Sequence, residues 1–230
     1  MKNYKANINY FTKWEGMKTC GMGMLIVGIL FLWVAWLFWY ILYFVGMFLV
    51  VLGAILFFLG NMGRAGESDI MSEVARRKEG IEFPEVEKER ELQKRVPKRT
   101  EILDFEGFSL RQGLYLKKRK NGSICSSEYS KARVFLLTDA FYVKSKTFSL
   151  VSEEERNDVC EIPFTLVENV ELESDRQTLT SGKKSFSVTV SHMVITYDGG
   201  KKLRLPGKDD AYTDELIVRL KKLVANAKNA

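Results

Sequence analysis

Between Lys18 and Arg64 the chain carries no aspartate, glutamate, lysine or arginine, a run of 45 residues from position 19 to 63. As one helix rising about 1.5 Å per residue, the run would extend about 67 Å, roughly twice the hydrocarbon thickness of a bilayer. It therefore folds back on itself. Indole and phenol side chains gather at its midpoint, Trp36-Leu37-Phe38-Trp39-Tyr40-Ile41-Leu42-Tyr43, as they do where a chain meets a membrane surface. Two spans are predicted, near 18–38 and 41–60. A purely soluble protein is excluded, and the run is too long and too little interrupted for a cleaved leader.

The flanks give the orientation. Lys2, Lys5, Lys13 and Lys18 precede the first span, and Arg64, Arg76, Arg77 and Lys78 follow the second. Basic flanks on both sides predict a cell-membrane protein of two spans with both termini in the cytoplasm. The net charge of +6 is read through this topology, and no nucleic-acid partner is expected. Small residues recur every seventh position, at Gly21, Gly28 and Ala35 in the first span and Gly46, Gly53 and Gly60 in the second. Lipid supplies no hydrophobic force between helices, so close approach at small residues is a main source of association. A seven-residue period suits left-handed packing, and the two stripes are expected to face each other. Neither span holds an ionisable side chain, which argues against a transport path.

Four segments follow: 1–17, an N-terminal cytoplasmic segment; 18–62, the transmembrane hairpin; 63–100, a charged, partly helical linker; and 101–230, a cytoplasmic domain. From Arg64 to Arg99 there are ten basic and nine acidic residues and too few apolar ones for a core. A helix over Ser68–Lys78 stopped by Gly80 is predicted, with a second between Pro84 and Pro97. Glu91 with Arg95 and Glu87 with Arg90 are spaced for surface pairs. The linker is read as a solvated, semi-rigid spacer.

Beyond Thr100 short alternating runs predict strands at 113–120, 133–138, 141–145, 167–173, 185–191, 193–197 and 202–205, with hairpin turns at Asn121-Gly122 and Asp198-Gly199-Gly200. A helix opening near Asp209 or Thr213 carries Leu216, Leu220, Leu223 and Val224 on one stripe. The fold class is α+β: a two-helix transmembrane hairpin, a charged linker, and a partly open β-barrel of about seven strands capped by a C-terminal helix.

Three runs, Gly113-Leu114-Tyr115-Leu116-Lys117-Lys118, Ala132-Arg133-Val134-Phe135-Leu136-Leu137-Thr138-Asp139-Ala140-Phe141-Tyr142-Val143 and Glu161-Ile162-Pro163-Phe164-Thr165-Leu166-Val167-Glu168-Asn169-Val170, stand in order before the last helix. Over about residues 101–226 the chain resembles the pleckstrin homology (PH) and GRAM superfamily, including bacterial PH-like domains that follow a membrane hairpin. The last helix lacks the tryptophan of eukaryotic PH domains, which favours a divergent or bacterial type. In some PH domains a basic residue late in the first strand and a K/R-x-R pattern in the second bind inositol phosphates. The resemblance thus implies an anionic-lipid site at Lys117, Lys118, Lys131 and Arg133, where several cations would share one head group.

Catalytic groups are sparse. His192, the one histidine, is expected at a turn between two strands, and Glu153-Glu154-Glu155 in a solvated loop. No nucleotide, hydrolase or zinc motif occurs, so no enzyme, cofactor or metal is expected. Asn121-Gly122-Ser123 forms a glycosylation sequon, irrelevant in the cytoplasm. Cys20, Cys125 and Cys160 have no partner spacing and read as free thiols. The function expected is a membrane-anchored scaffold that binds a protein partner, with lipid recognition or membership of a larger membrane complex as alternatives.

Overall fold

The computed structural model describes residues 4–12, 16–38, 40–79, 102–207 and 210–229, with the backbone alone described at 35–38, 40–42 and 229. It forms two compact units, Met1–Asp69 and Ile70–Ala230.

In the first unit, α1 (Tyr4–Thr12) buries Ala6, Tyr10 and Phe11, so the segment before the hairpin is helical where the sequence marked only a flank. Ala65 N–H donates to the Ala6 carbonyl at 3.1 Å, and Asn9 Nδ2 to the Gly63 carbonyl at 2.8 Å. These bonds close the two ends of the hairpin segment on each other. Helices α2 (Gly16–Phe38) and α3 (Tyr40–Asn61) follow. Both are long and apolar enough to cross a membrane, over Gly16–Val34 and Tyr43–Asn61, with mean hydropathy 1.8 and 2.5. Their outward side chains, such as Trp33, Phe44, Phe48 and Phe58, are exposed, which suits lipid and not water.

The glycine series meet along one seam. A Cβ at Gly21 would lie 2.6 Å from the Phe57 backbone nitrogen and 2.9 Å from the Gly53 carbonyl oxygen; one at Gly28 would lie 3.0 Å from the Gly46 carbonyl oxygen. Gly60 faces Lys18, whose backbone nitrogen would be 3.2 Å from the added carbon. The helices thus approach at distances only glycine admits. The side chain of Ala35 lies outside the described residues, as does Trp39 within the predicted reversal.

The second unit begins within α4 (Glu67–Glu79), whose Ile70 and Val74 are buried. The linker is therefore not a solvated spacer over this stretch. Gly80, the helix expected between Pro84 and Pro97, and the pairs Glu91/Arg95 and Glu87/Arg90 lie outside the described residues.

Among the described residues nine strands follow, not about seven. β1 (Ile102–Phe108), β4 (Glu128–Leu136), β5 (Ala140–Ser149) and β6 (Glu155–Pro163) form a four-stranded sheet in the order β1-β4-β5-β6. β2 (Leu116–Lys118) and β3 (Ile124–Ser126) make a small hairpin between β1 and β4, and β7 (Val167–Ser181), β8 (Lys184–Tyr197) and β9 (Lys201–Pro206) a three-stranded sheet. All pairings are antiparallel. The sequence placed the first strand at 113–120, where only Leu116–Lys118 is extended, and missed β1, β3 and β6. It also divided β8 at His192, which the ladder crosses without a break.

Turn chemistry is local and clear. Asn121 Oδ1 accepts from Ser123 N–H at 3.1 Å, with Gly122 at φ 87°. A bulge between Val167 and Asn169 frees Glu168, whose Oε1 accepts from Gly199 N–H at 2.7 Å and Gly200 N–H at 3.2 Å. The last helix, α5 (Ala211–Asn229), is capped by Asp210, whose Oδ1 accepts from Thr213 N–H at 2.9 Å.

Leu216, Ile217, Leu220 and Val224 of α5 enter one core with Leu103, Phe105, Ala132, Val134, Phe141, Val143, Ile162, Met193, Ile195 and Leu205 of both larger sheets. Each fully buried aliphatic side chain contributes about 1.5–3 kcal/mol, so α5 is a structural member of the core.

Candidate functional site

Alternation along β4 sends Ala132, Val134 and Leu136 into the core, and Lys131 and Arg133 to the opposite face of the sheet. Register then builds two polar rows across that face. One runs Asp104, Arg133, Lys144, Val159 and the other Glu106, Lys131, Lys146, Asn157, on β1, β4, β5 and β6 in turn. Four cations and two carboxylates share the rows. Lys144 and Lys146 were missed from the sequence, although their spacing repeats Lys131-x-Arg133 across the hairpin.

These cations are engaged within the fold. Arg133 grips Asp104 with two bonds, Nε to Oδ1 at 2.7 Å and Nη2 to Oδ2 at 3.0 Å. The hydrogen bond from Arg133 holds the Asp104 carboxyl below its usual range against an opposing effect of burial. Lys131 is 7% exposed and Lys144 6%. Lys146 pairs with Glu155 at 2.8 Å.

Helix α4 adds two more cations. Arg77, its side chain 8% exposed, donates to the Ser149 carbonyl, pairs with Glu155 at 3.3 Å and lies over the Phe148 ring at 4.2 Å. Lys78 pairs with Glu106. Glu106 and, above all, desolvation push the Tyr129 hydroxyl up to about 12. Lys117 and Lys118 belong to β2, on a different sheet from Lys131 and Arg133. Lys118 is exposed and Lys117 buried. The four residues taken together as a lipid site therefore divide between two sheets, and one of them already holds a carboxylate.

A groove of about 1270 Å³ opens beside Ser130, Thr147, Glu128, Arg111 and His192. Ser130 Oγ and Thr147 Oγ1 are 3.1 Å apart, and Arg111 holds Glu128 at 2.8 Å. His192 stands within β8 opposite Glu173 and Pro206, not at a turn. Burial chiefly, then Arg204, pushes its pKa down. Among the described residues no group of three or more His, Cys, Asp or Glu is placed to hold a metal. Cys20, Cys125 and Cys160 are free thiols.

β6 is an accessible margin. Among the described residues it pairs with β5 alone and forms the margin of the four-stranded sheet. Glu155, Arg156, Asn157, Asp158 and Val159 are all exposed, Val159 at 62%. Arg156 Nε reaches Asp158 Oδ2 along the strand at 2.8 Å. Glu155, expected in a loop, opens this strand. Sequence patterning gave no sign of β6, because a margin wet on both faces needs no alternation.

Neither a family model, nor a curated protein, nor a solved structure matches this chain.

Proposed function

We propose that this chain is a membrane-anchored binding module, not an enzyme. In this reading α2 and α3 hold it in the cell membrane, both ends lie in the cytoplasm, and the β domain is a PH-like, partly open barrel that binds a protein partner. The order of a four-stranded antiparallel sheet, a three-stranded one and a helix packed into their common core supports the PH-like reading. The observation that carries the binding reading is the margin of β6, five consecutive exposed residues beside unpaired backbone. Such an edge accepts an added strand, whose main-chain bonds supply affinity.

A photo-crosslinking residue at Val159 of the full-length protein in its own membrane tests this, with Lys183 at the β7–β8 turn as control. One discrete cross-linked species at 159 and none at 183 is expected. Equal labelling at both, or none at either, would remove the edge from consideration.

A further inference from the structure

We infer that the strand seated on β6 is the β6 of a second copy of this chain, a deepening that rests on the binding reading above. The argument is the order of side chains along the margin. An antiparallel pair of identical strands related by a two-fold axis places one residue opposite itself and pairs its neighbours crosswise. With Asn157 on the axis, Arg156 of each copy stands opposite Asp158 of the other, and Glu155 opposite Val159. Both charges lie on one face of the strand. Their mutual distance of 2.8 Å within one chain shows that the two heads can reach across such a gap.

Moving the axis by one residue, to Asp158, sets two aspartates against each other and Glu155 against Glu161. Like charges directly opposite are destabilising, which disfavours the axis at Asp158, and among axes on the exposed stretch only that at Asn157 sets Arg156 opposite Asp158. Asparagine opposite itself is also satisfied, since its amide both donates and accepts. The pairing would join two four-stranded sheets into one continuous sheet and remove an exposed edge from each copy. Anchoring in one membrane raises the effective concentration of each copy for the other.

The experiment uses the full-length chain in its native membrane, with Cys20 and Cys160 changed to alanine and a mild oxidant added. Facing Cα atoms of an antiparallel pair lie about 4.5–5.5 Å apart, within the span of a disulfide. Asn157→Cys is therefore expected to give a disulfide-linked dimer. Val159→Cys is not, because two such residues would stand about 13 Å apart. Arg156→Asp or Asp158→Arg, each added to Asn157→Cys, is expected to lower the dimer yield about tenfold. The two reversed chains, differently tagged and made together, are expected to recover it as the heterodimer. Cross-linking at 159 equal to that at 157, or a yield indifferent to charge reversal, would overturn the pairing. A foreign protein captured by the photo-crosslinker at 159, with no self-dimer, would overturn it while leaving the binding reading standing. No capture of any kind at 159 would remove both.

Discussion

The guanidinium of Arg77 lies 4.2 Å from the ring centroid of Phe148 and donates to the carbonyl of the next residue, Ser149. One cation thus ties a helix drawn from the charged connector to the last turn of β5, and Glu155 at the start of β6 completes the clasp. Over Ile70–Glu79 the stretch that composition marks as a spacer belongs to the same compact unit as the strands.

Arg77→Ala is expected to destabilise the domain by about 1–3 kcal/mol, since it removes a stacked cation and leaves the Ser149 carbonyl and Glu155 without this donor. Arg76→Ala, next door, breaks a pair with Glu73 in which the arginine is 62% exposed and should change stability by less than about 0.5 kcal/mol. Pulse proteolysis of the full-length protein in detergent compares the two.

Between α2 and α3, Gly21 and Gly23 make a controlled contrast. A methyl at 21 would overlap the backbone of α3, whereas at 23 nothing lies within 4 Å. Gly21→Ala should separate the helices and cost about 1–3 kcal/mol, while Gly23→Ala should be silent. Disulfide trapping between cysteines placed on the two helices reads the separation.

Acidification should weaken the domain in two windows. Asp104 has a lowered folded pKa, its largest cause the bond from Arg133. Its stabilisation is present above the unfolded carboxylate value and is lost as pH falls through the folded one, so Asp104→Asn should flatten the stability curve below about pH 4. His192 also has a lowered folded pKa, chiefly from burial. The folded state therefore binds fewer protons, and stability falls as pH drops from about 6.5 toward the folded value. His192→Gln should remove that second slope in thermal melts taken between about pH 5 and 7.

Charge reversal at Arg133 would set a carboxylate directly opposite Asp104. Arg133→Glu is expected to cost about 0.5–1 kcal/mol of domain stability by setting like charges opposite each other, whatever its effect on vesicle binding. Lys118→Glu, on an exposed side chain, leaves the fold alone. Flotation with anionic vesicles, run on both variants beside a proteolysis assay, separates loss of a lipid contact from loss of the domain.

Features written in neighbouring residues were readable before any coordinates. Asn121-Gly122 and Asp198-Gly199-Gly200 turn where their backbone chemistry requires, Phe186 to Val190 alternates as a strand should, and Leu216, Leu220, Leu223 and Val224 mark the inner stripe of α5. What escaped depends on partners far away in the chain. β1 carries Asp104 and Glu106 because Arg133 and Lys78 meet them, and that pairing has no local signature. β6 is polar because it ends a sheet. Arg77 and Lys78 read as solvated charge until Phe148, Glu155 and Glu106 are brought to them.

The place of α5 in the core has a consequence for biogenesis. β1 to β9 leave the ribosome before this helix, and the apolar residues that Leu216, Ile217, Leu220 and Val224 cover are supplied by both larger sheets. Until α5 emerges, the nascent domain leaves those apolar residues open to water. That interval is when chaperones have a surface to hold.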